Sequence, residues 1–172
     1  FKDGDEITII PEFEASKLLK TPEGNSHLVA ADGTGIRVPS KIELTPFKSY
    51  ELPEHLVRLT GAGSSSFDEL GKGHIKNYKK YMGIKTGMNF LEIASGMARD
   101  AFPLIDLLGQ KGKYVGIDVQ RESIVWCQKN ITKRHPNFEF VHFNAYHELH
   151  NPYGTLTTMD CPLPAPDRSI DR

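Results

Sequence analysis

The sequence predicts an α/β fold, a Rossmann-like doubly wound parallel sheet, because short β-prone runs alternate with helical patterns in its second half. Residues 90–94, 114–119 and 138–143 are apolar-rich runs, and 114–119 is near-continuously apolar, as strands of a parallel sheet are. A helix from about residue 102 and a helix over 123–133 separate them. Strand, helix, strand, helix, strand is the βαβαβ unit, with right-handed crossovers.

Each of the two helices carries its apolar residues on one face. The spacing is helical for Phe102, Ile105 and Leu108, and again for Ile124, Cys127 and Ile131. Pro103 is compatible with the first turn of a helix, and the glycines at 109 and 112 end the first helix before the second strand.

The N-terminal third has a different pattern, which predicts a β-rich extension over residues 1–52. Residues 6–10, 27–30 and 35–38 are β-prone runs, and Asp32-Gly33 predicts a hairpin turn. This extension carries no recognisable chemistry.

Residues 53–87 predict helices joined by a linker, and they precede the predicted domain at 88–172. Leu56 and Leu59 form a short apolar face, and the Gly/Ser-rich residues 61–66 read as a hinge-like linker. One face of a second helix, ended near Gly83, holds Phe67, Leu70, His74, Tyr78 and Tyr81.

Composition excludes several function classes. The 172 residues (19.3 kDa) carry 21 Lys plus Arg against 22 Asp plus Glu, a net charge of −1, and a mean hydropathy of −0.40. That balance argues against a strongly basic nucleic-acid grip or a membrane anchor, and no apolar run approaches a membrane span. Two cysteines, Cys127 and Cys161, make no disulfide framework, so a cytoplasmic location is expected. The start at Phe1, without a visible signal peptide, indicates a fragment or trimmed form.

Candidate binding residues follow the first two strands, where ligands bind in sheets of this kind. The turn at 94–98 (ASGMA) consists of small residues apart from Met97, which lets a ligand approach the backbone closely. Asp118 ends the second strand, and a carboxylate there can accept hydrogen bonds from both hydroxyls of a ribose.

The glycine pattern of the turn distinguishes between two cofactor classes. A dinucleotide fingerprint, G-x-G-x-x-G, would fall on Ala94, Gly96 and Arg99, and Arg99 would obstruct the packing that the third glycine permits. The form G-x-G-x-G falls on Ala94, Gly96 and Ala98 and fits better.

Residues 91–99 (LEIASGMAR) resemble motif I of class I S-adenosylmethionine-dependent methyltransferases, usually L-D-I-G-C-G-T-G-R. Residues 114–118 resemble the strand that follows it. Residues 123–131, 135–138, 143–146 and 151–152 are similar to a bacterial small-molecule subgroup of the family. The resemblance extends from about residue 53 to the C-terminus. It implies a seven-stranded domain of which this chain would hold the S-adenosylmethionine-binding half, truncated where the fourth strand begins.

The resemblance also implies roles for single residues. Glu92 would orient the loop and the methionine amino group of S-adenosylmethionine, Asp118 would hold the ribose, and Asn144 would lie by the adenine. The implied cofactor-binding set is Glu92, Ala94, Ser95, Gly96, Met97, Ala98, Asp118, Val119, Asn144 and Ala145. No catalytic base is assigned, because such residues typically follow the fourth strand.

Three positions depart from the family pattern. Alanine replaces the first and third motif glycines at Ala94 and Ala98, and an alanine in the left-handed region costs about 1 kcal/mol or more. Either these residues have negative φ or cofactor affinity is reduced. Asn144 stands where the family usually has Asp, and it would bond the adenine edge as a neutral partner.

Two other functions remain open: a nicotinamide-dependent oxidoreductase, and a methyltransferase-like module that binds a protein partner. His142, His147 and His150 are a weak metal signal, so no metal is expected. The expected reaction is methyl transfer to a small-molecule acceptor, without nucleic-acid or membrane partners. Either a partner or a second copy is expected to cover the sheet edge at 138–143, or the fold is expected to be marginally stable.

Overall fold

The fold is taken from a computed structural model of the chain. It describes residues 15–20, 26–30, 35–38, 42–61, 63–157, 159 and 162–172. The predicted strand at 6–10 and the turn residues 32–33 lie outside these ranges.

The N-terminal β-rich part contains an antiparallel sheet with the order β1-β2-β3. Its strands are β1 (Ala15–Lys20), β2 (Ser26–Ala30) and β3 (Gly35–Val38). The pairing of β2 with β3 confirms the predicted hairpin, with Leu28 opposite Ile36. The sequence analysis missed β1, because its residues, ASKLLK, include no β-branched or aromatic side chain.

A second hairpin, which the sequence analysis also missed, joins β4 (Leu44–Phe47) to β5 (Tyr50–Pro53). Its turn places Lys48 at a φ of 52°, and neither turn residue is the glycine or asparagine that marks such turns in a sequence. The hairpin packs its rings on Phe102, whose centroid lies 5.1 Å from that of Tyr50. It therefore belongs to the same core as the parallel sheet.

Two helices follow, α1 (Glu54–Arg58) and α2 (Ser64–Asn77), and α2 continues as a π-helical turn at Tyr78–Met82. The left-handed Gly83 (φ 64°) ends this turn, as predicted. The predicted linker at 61–66 is wrong in extent, because residues 64–66 already form the first turn of α2. No helix in the described part of the chain is long and apolar enough to cross a membrane.

The buried face of α2 differs from the predicted one. Phe67, Gly71 and Ile75 are buried, whereas Leu70 is 37% exposed and Tyr81 is 72% exposed. The apolar spacing misplaced the face because it gave no weight to a glycine, and Gly71 marks the closest approach of α2 to the domain.

The second half forms the predicted βαβαβ unit, a parallel sheet with the order β6-β7-β8. The elements are β6 (Asn89–Ile93), α3 (Ala101–Leu108), β7 (Lys113–Asp118), α4 (Arg121–Cys127) with a π-helical turn at Gln128–Thr132, and β8 (Phe138–His142). In register, Ile93 lies opposite Ile117 and Asp118 opposite His142. The carboxyl ends of all three strands therefore meet at one edge of the sheet.

The outer side of β6 is paired with the C-terminal residues. The backbone N–H of Leu91 donates to the carbonyl of Arg172 at 2.9 Å, and the side-chain amide of Asn89 donates to the carbonyl of Ser169 at 2.9 Å. These residues lie where the sequence analysis expects a fourth strand to begin.

Candidate functional site

The turn after β6 adopts the backbone conformation of a glycine motif, although two of its three positions are alanines. The φ angles are 63° at Ala94, 49° at Gly96 and 60° at Ala98. The first alternative of the sequence analysis, negative φ at the alanines, is therefore wrong. Each left-handed alanine costs roughly 1–2 kcal/mol relative to the right-handed region, so the fold holds this turn against strain.

Hydrogen bonds to β7 and one within the turn hold the strained backbone. The N–H of Ser95 donates to the carbonyl of Ile117 at 3.0 Å, and the N–H of Ala98 donates to the carbonyl of Ser95 at 2.9 Å. The N–H of Gly96 donates to the Asp118 carboxylate at 2.7 Å. The turn is thereby fastened to the end of the neighbouring strand.

Asp118 is buried, and both of its carboxylate oxygens accept backbone hydrogen bonds. Oδ2 accepts from Gly96 and Oδ1 accepts from Gln120, each at 2.7 Å. A carboxylate oxygen has two acceptor positions, so each oxygen retains one for a ligand hydroxyl. Asp118 is therefore placed both to shape the turn and to bind a diol.

A cavity of about 440 Å³ opens at this edge of the sheet. Its lining includes most of the residues that the sequence analysis names, which are Glu92, Ala94, Ser95, Gly96, Asp118, Val119 and Ala145. The turn after β6, the end of β7 and the segment after β8 thus face one space.

Three other predicted site residues are placed elsewhere. Met97 and Ala98 are fully buried in the hydrophobic core. Asn144 lies outside the cavity lining, where it donates to Thr155 Oγ1 at 3.2 Å and accepts from the Asn151 amide at 3.1 Å. The roles assigned to these three residues stay predictions.

Glu92 is one of the residues that line the cavity. It accepts a hydrogen bond from the Tyr114 hydroxyl. Burial, together with repulsion from the Asp100 carboxylate, raises the pKa of Glu92 from its ordinary value of 4.5 to about 8. Its surroundings therefore favour a neutral Glu92, and a cationic ligand would favour the ionised form.

Asp100 is a third carboxylate of the cavity wall, and it was not predicted from the sequence. It is 3% exposed. It accepts from His74 Nδ1 at 2.9 Å and from the Tyr78 hydroxyl at 2.7 Å, and Arg99 Nε lies 3.6 Å away. Burial and the Asp100 carboxylate raise the pKa of Tyr78. The four-residue spacing of His74 and Tyr78 was a visible signal, but it gives no indication of their partner.

Two polar atoms of the lining residues are buried without a hydrogen-bond partner, Ser95 Oγ and Arg99 Nε. Arg99 is anchored at its other end, where Nη1 donates to the carbonyl of Thr60 at 3.2 Å. Buried polar atoms in proteins are normally hydrogen-bonded, so these two atoms are exceptions to that rule.

Five further lining residues come from segments that carry no recognisable motif. Leu59 and Thr60 follow α1, His147 and His150 lie in the segment after β8, and Leu163 lies near the C-terminus. The two histidine rings are 4.9 Å apart. Within the described ranges, no group of three or more His, Cys, Asp or Glu side chains is arranged to hold a metal ion.

Solved structures of methyltransferases resemble this chain in part. An S-adenosylmethionine-dependent methyltransferase from Aquifex aeolicus is 22% identical over 55% of this chain and 50% of its own, with a TM-score of 0.41. A protein-L-isoaspartate O-methyltransferase is 19% identical over 60% and 29%, with a TM-score of 0.36. Aeropyrum pernix fibrillarin, solved with natively bound S-adenosyl-L-methionine, is 13% identical over 76% and 57%, with a TM-score of 0.35. The match spans about half the length of the Aquifex protein.

A comparison of the sequence with protein-family models gives a match over the parallel-sheet region. Residues 84–154 match the family described as "Methyltransferase domain". This range contains β6, β7 and β8, the left-handed turn and Asp118, and it confirms the resemblance seen in the motifs.

Proposed function

We propose that this chain contains the cofactor-binding part of an S-adenosylmethionine-dependent methyltransferase. One observation carries the proposal: the left-handed turn at 94–98 is hydrogen-bonded to Asp118, and both border the same cavity. The family match over 84–154 supports it.

The residues present are compatible with S-adenosylmethionine. The cavity of about 440 Å³ lies within the range of roughly 300–1,000 Å³ for small-molecule sites. The carboxylates of Glu92 and Asp118 supply hydrogen-bond acceptors in the cavity wall. A ligand with a diol and an ammonium group matches this set.

Each part of the site would have a distinct role in holding the cofactor. Asp118 would accept hydrogen bonds from the ribose hydroxyls, Glu92 would pair with the methionine ammonium group, and the backbone of 94–96 would lie against the methionyl chain. When bound, the cofactor supplies a methyl group on a sulfonium, a good leaving group. The protein then contributes alignment of the two reactants and exclusion of water.

The nicotinamide alternative is less compatible with the turn. Arg99 occupies the third glycine position of a dinucleotide motif, and its guanidinium is fastened to Thr60 beside the cavity. The backbone carbonyl of Arg99 is also packed closely against Gly71 of α2. Arg99 therefore stands where a dinucleotide motif has the glycine that permits close helix–strand packing.

Calorimetry with S-adenosylmethionine, S-adenosylhomocysteine and NAD tests the proposal. We expect saturable binding of the first two and none of NAD. Val119→Trp should abolish binding by filling the cavity without altering the turn, and Val125→Trp on α4 is the matched control outside the cavity. Asp118→Ala should also weaken binding, but a melting curve must accompany it, because Asp118 also holds Gly96. Binding of NAD alone would contradict the proposal, and binding of none would favour the partner-binding module.

We further propose that the methyl acceptor is a small molecule and that the protein acts in the cytoplasm. The similarity of residues 123–131, 135–138, 143–146 and 151–152 to a bacterial small-molecule subgroup supports the acceptor class. The free thiol of the buried Cys127 is compatible with a reducing compartment. Transfer of labelled methyl from S-adenosylmethionine to low-molecular-weight fractions of an extract tests the acceptor. Label recovered only in protein or nucleic acid would contradict it.

A further inference from the structure

Tyr114 lies at the centre of the parallel sheet, in a stack of rings that crosses all three strands. Its ring is parallel to that of Phe90, 6.3 Å away, and to that of Phe138, 5.1 Å away. Tyr114 and Phe138 are at most 1% exposed. A phenylalanine would satisfy this stack equally well, so the packing does not explain the hydroxyl.

The Tyr114 hydroxyl is used at the cavity. It donates a hydrogen bond to Glu92 Oε2. Within the described part of the chain, Tyr114 is the residue that hydrogen-bonds the Glu92 side chain. Asp100, the other acidic side chain nearby, has His74 and Tyr78 as donors. The position of the Glu92 carboxyl therefore depends on Tyr114 far more than that of Asp100 depends on any one donor.

Gly116 holds the Tyr114 ring in place from the same strand. A Cβ at Gly116 would lie 2.9 Å from Tyr114 Cε1 and 2.9 Å from the Ser95 side chain. The ring and the strained turn are thus both packed against the bare backbone of Gly116. Ring and carboxyl therefore form a fixed pair beneath the turn.

We infer that Tyr114 is a positioning residue, which holds the Glu92 carboxyl toward the cavity so that it can pair with the ammonium group of the ligand. The inference rests on the proposed function, because the ammonium group is that of the methionyl part of S-adenosylmethionine.

The electrostatic surroundings define what the hydroxyl contributes. The charged groups that act on Glu92 are the carboxylates of Asp100 and Asp118, which disfavour its ionisation, and the guanidinium of Arg99, which favours it. The Tyr114 hydrogen bond also favours the ionised carboxyl. Its loss therefore raises the pKa of Glu92 further, and a cationic ligand has to compete with a more firmly held proton.

Tyr114→Phe removes the hydroxyl and keeps the ring stack. We expect the affinity for S-adenosylhomocysteine, which carries the ammonium group, to fall about tenfold or more at neutral pH. The affinity for methylthioadenosine, which lacks the amino-acid part, should stay within about twofold.

The affinity of the wild type for S-adenosylhomocysteine should fall as the pH is lowered below about 8, and in Tyr114→Phe this fall should begin at a higher pH. Tyr50→Phe, a buried tyrosine of β5 outside the cavity, is the control.

Each outcome of the calorimetry has a defined meaning. Wild-type protein that binds neither nucleoside contradicts the proposed function itself. Equal loss of both nucleosides in Tyr114→Phe, or an unshifted pH profile, overturns the inference while the proposed function stands. Glu92→Gln should match Tyr114→Phe in its loss of S-adenosylhomocysteine, and the double variant should lose no more than Glu92→Gln alone. If Tyr114→Phe does not fold, a Glu92→Gln variant that retains the wild-type pH profile overturns the inference.

Discussion

Ala94 and Ala98 carry the same left-handed backbone but differ in what surrounds their side chains. Ala94 is exposed at the cavity, whereas Ala98 is fully buried in the core. Replacement by glycine relieves about 1–2 kcal/mol of strain at either position and costs roughly 0.5–1 kcal/mol of chain entropy. The buried methyl of Ala98 contributes about 0.8 kcal/mol that the exposed methyl of Ala94 does not.

We therefore expect Ala94→Gly to raise the free energy of unfolding by about 0.5–1 kcal/mol. Ala98→Gly should leave it within about 0.5 kcal/mol of the wild type, because relief of strain and loss of packing offset each other. Urea unfolding of both variants provides the measurement. A larger gain at Ala98 than at Ala94 would contradict the stabilisation assigned to the buried methyl of Ala98.

Glu92 connects the cavity to the pH dependence of stability. Its pKa is about 8 in the folded chain against an ordinary value of 4.5. Between these two pH values the folded chain holds a proton that the unfolded chain has lost, so stability falls as the pH rises. Glu92→Gln removes this dependence.

We expect Glu92→Gln to match the wild type near pH 4.5 and to exceed it near pH 8. The difference should be on the order of 2 kcal/mol, reduced by the solvent that reaches the cavity. Thermal or urea unfolding as a function of pH measures it, with Glu51→Gln on the exposed side of β5 as the control. A pH-independent difference between the two proteins would contradict the assignment.

At the scale of elements, the helices and strands that could be predicted are those that local residue spacing determines. The strands β6, β7 and β8 and the helices between them follow from apolar runs and helical spacing, and their boundaries differ from the prediction by a few residues. The β4–β5 hairpin could not be predicted, because Pro46 lies within one strand and the left-handed turn residue is Lys48. Its stability comes from rings packed on α3, a contact about fifty residues away in sequence.

The candidate site divides in the same way. The turn and Asp118 lie within one βαβ unit, so motif spacing located them. The Asp100 cluster depends on α2 approaching the turn, and Asn144 is drawn away from the cavity by Asn151 and Thr155. Neither contact leaves a periodic signal in the sequence.

Gly71 is the residue that permits α2 to approach the turn. A Cβ at this position would lie 2.7 Å from the carbonyl oxygen of Arg99, a backbone atom that cannot move aside. Gly71→Ala should therefore lower the free energy of unfolding by about 1–2 kcal/mol, although alanine favours the helix by about 1 kcal/mol. Gly73 in the same helix has no atom within 4 Å of the equivalent position. Gly73→Ala should be stabilising by about 1 kcal/mol, and equal effects of the two substitutions in urea unfolding would contradict this account.

At the scale of the whole molecule, the parallel sheet has two outer strands, which are covered differently. The outer side of β6 is paired with the backbone of 169–172. The outward carbonyls of β8 are instead bonded by side chains of the preceding π-helical turn: Thr132 Oγ1 donates to Phe138 at 2.7 Å and Gln128 Nε2 to Phe140 at 2.8 Å. An unpaired strand edge is a template for association with another chain, so these side chains protect β8.

The double substitution Gln128→Ala and Thr132→Val should uncover the edge of β8 and increase self-association. We expect sedimentation velocity to show a larger share of dimers or higher species than in the wild type at the same concentration, because the freed carbonyls can pair with a second chain. Gln110→Ala, an exposed glutamine between α3 and β7, is the control. An unchanged distribution in the double variant would mean that these two hydrogen bonds do not limit access to the edge.

The wild type tests the predicted partner over 138–143 in the same experiment. A concentration-dependent dimer that becomes more stable in the double variant would support a second copy on this edge. A wild type that is monomeric at all concentrations would contradict it.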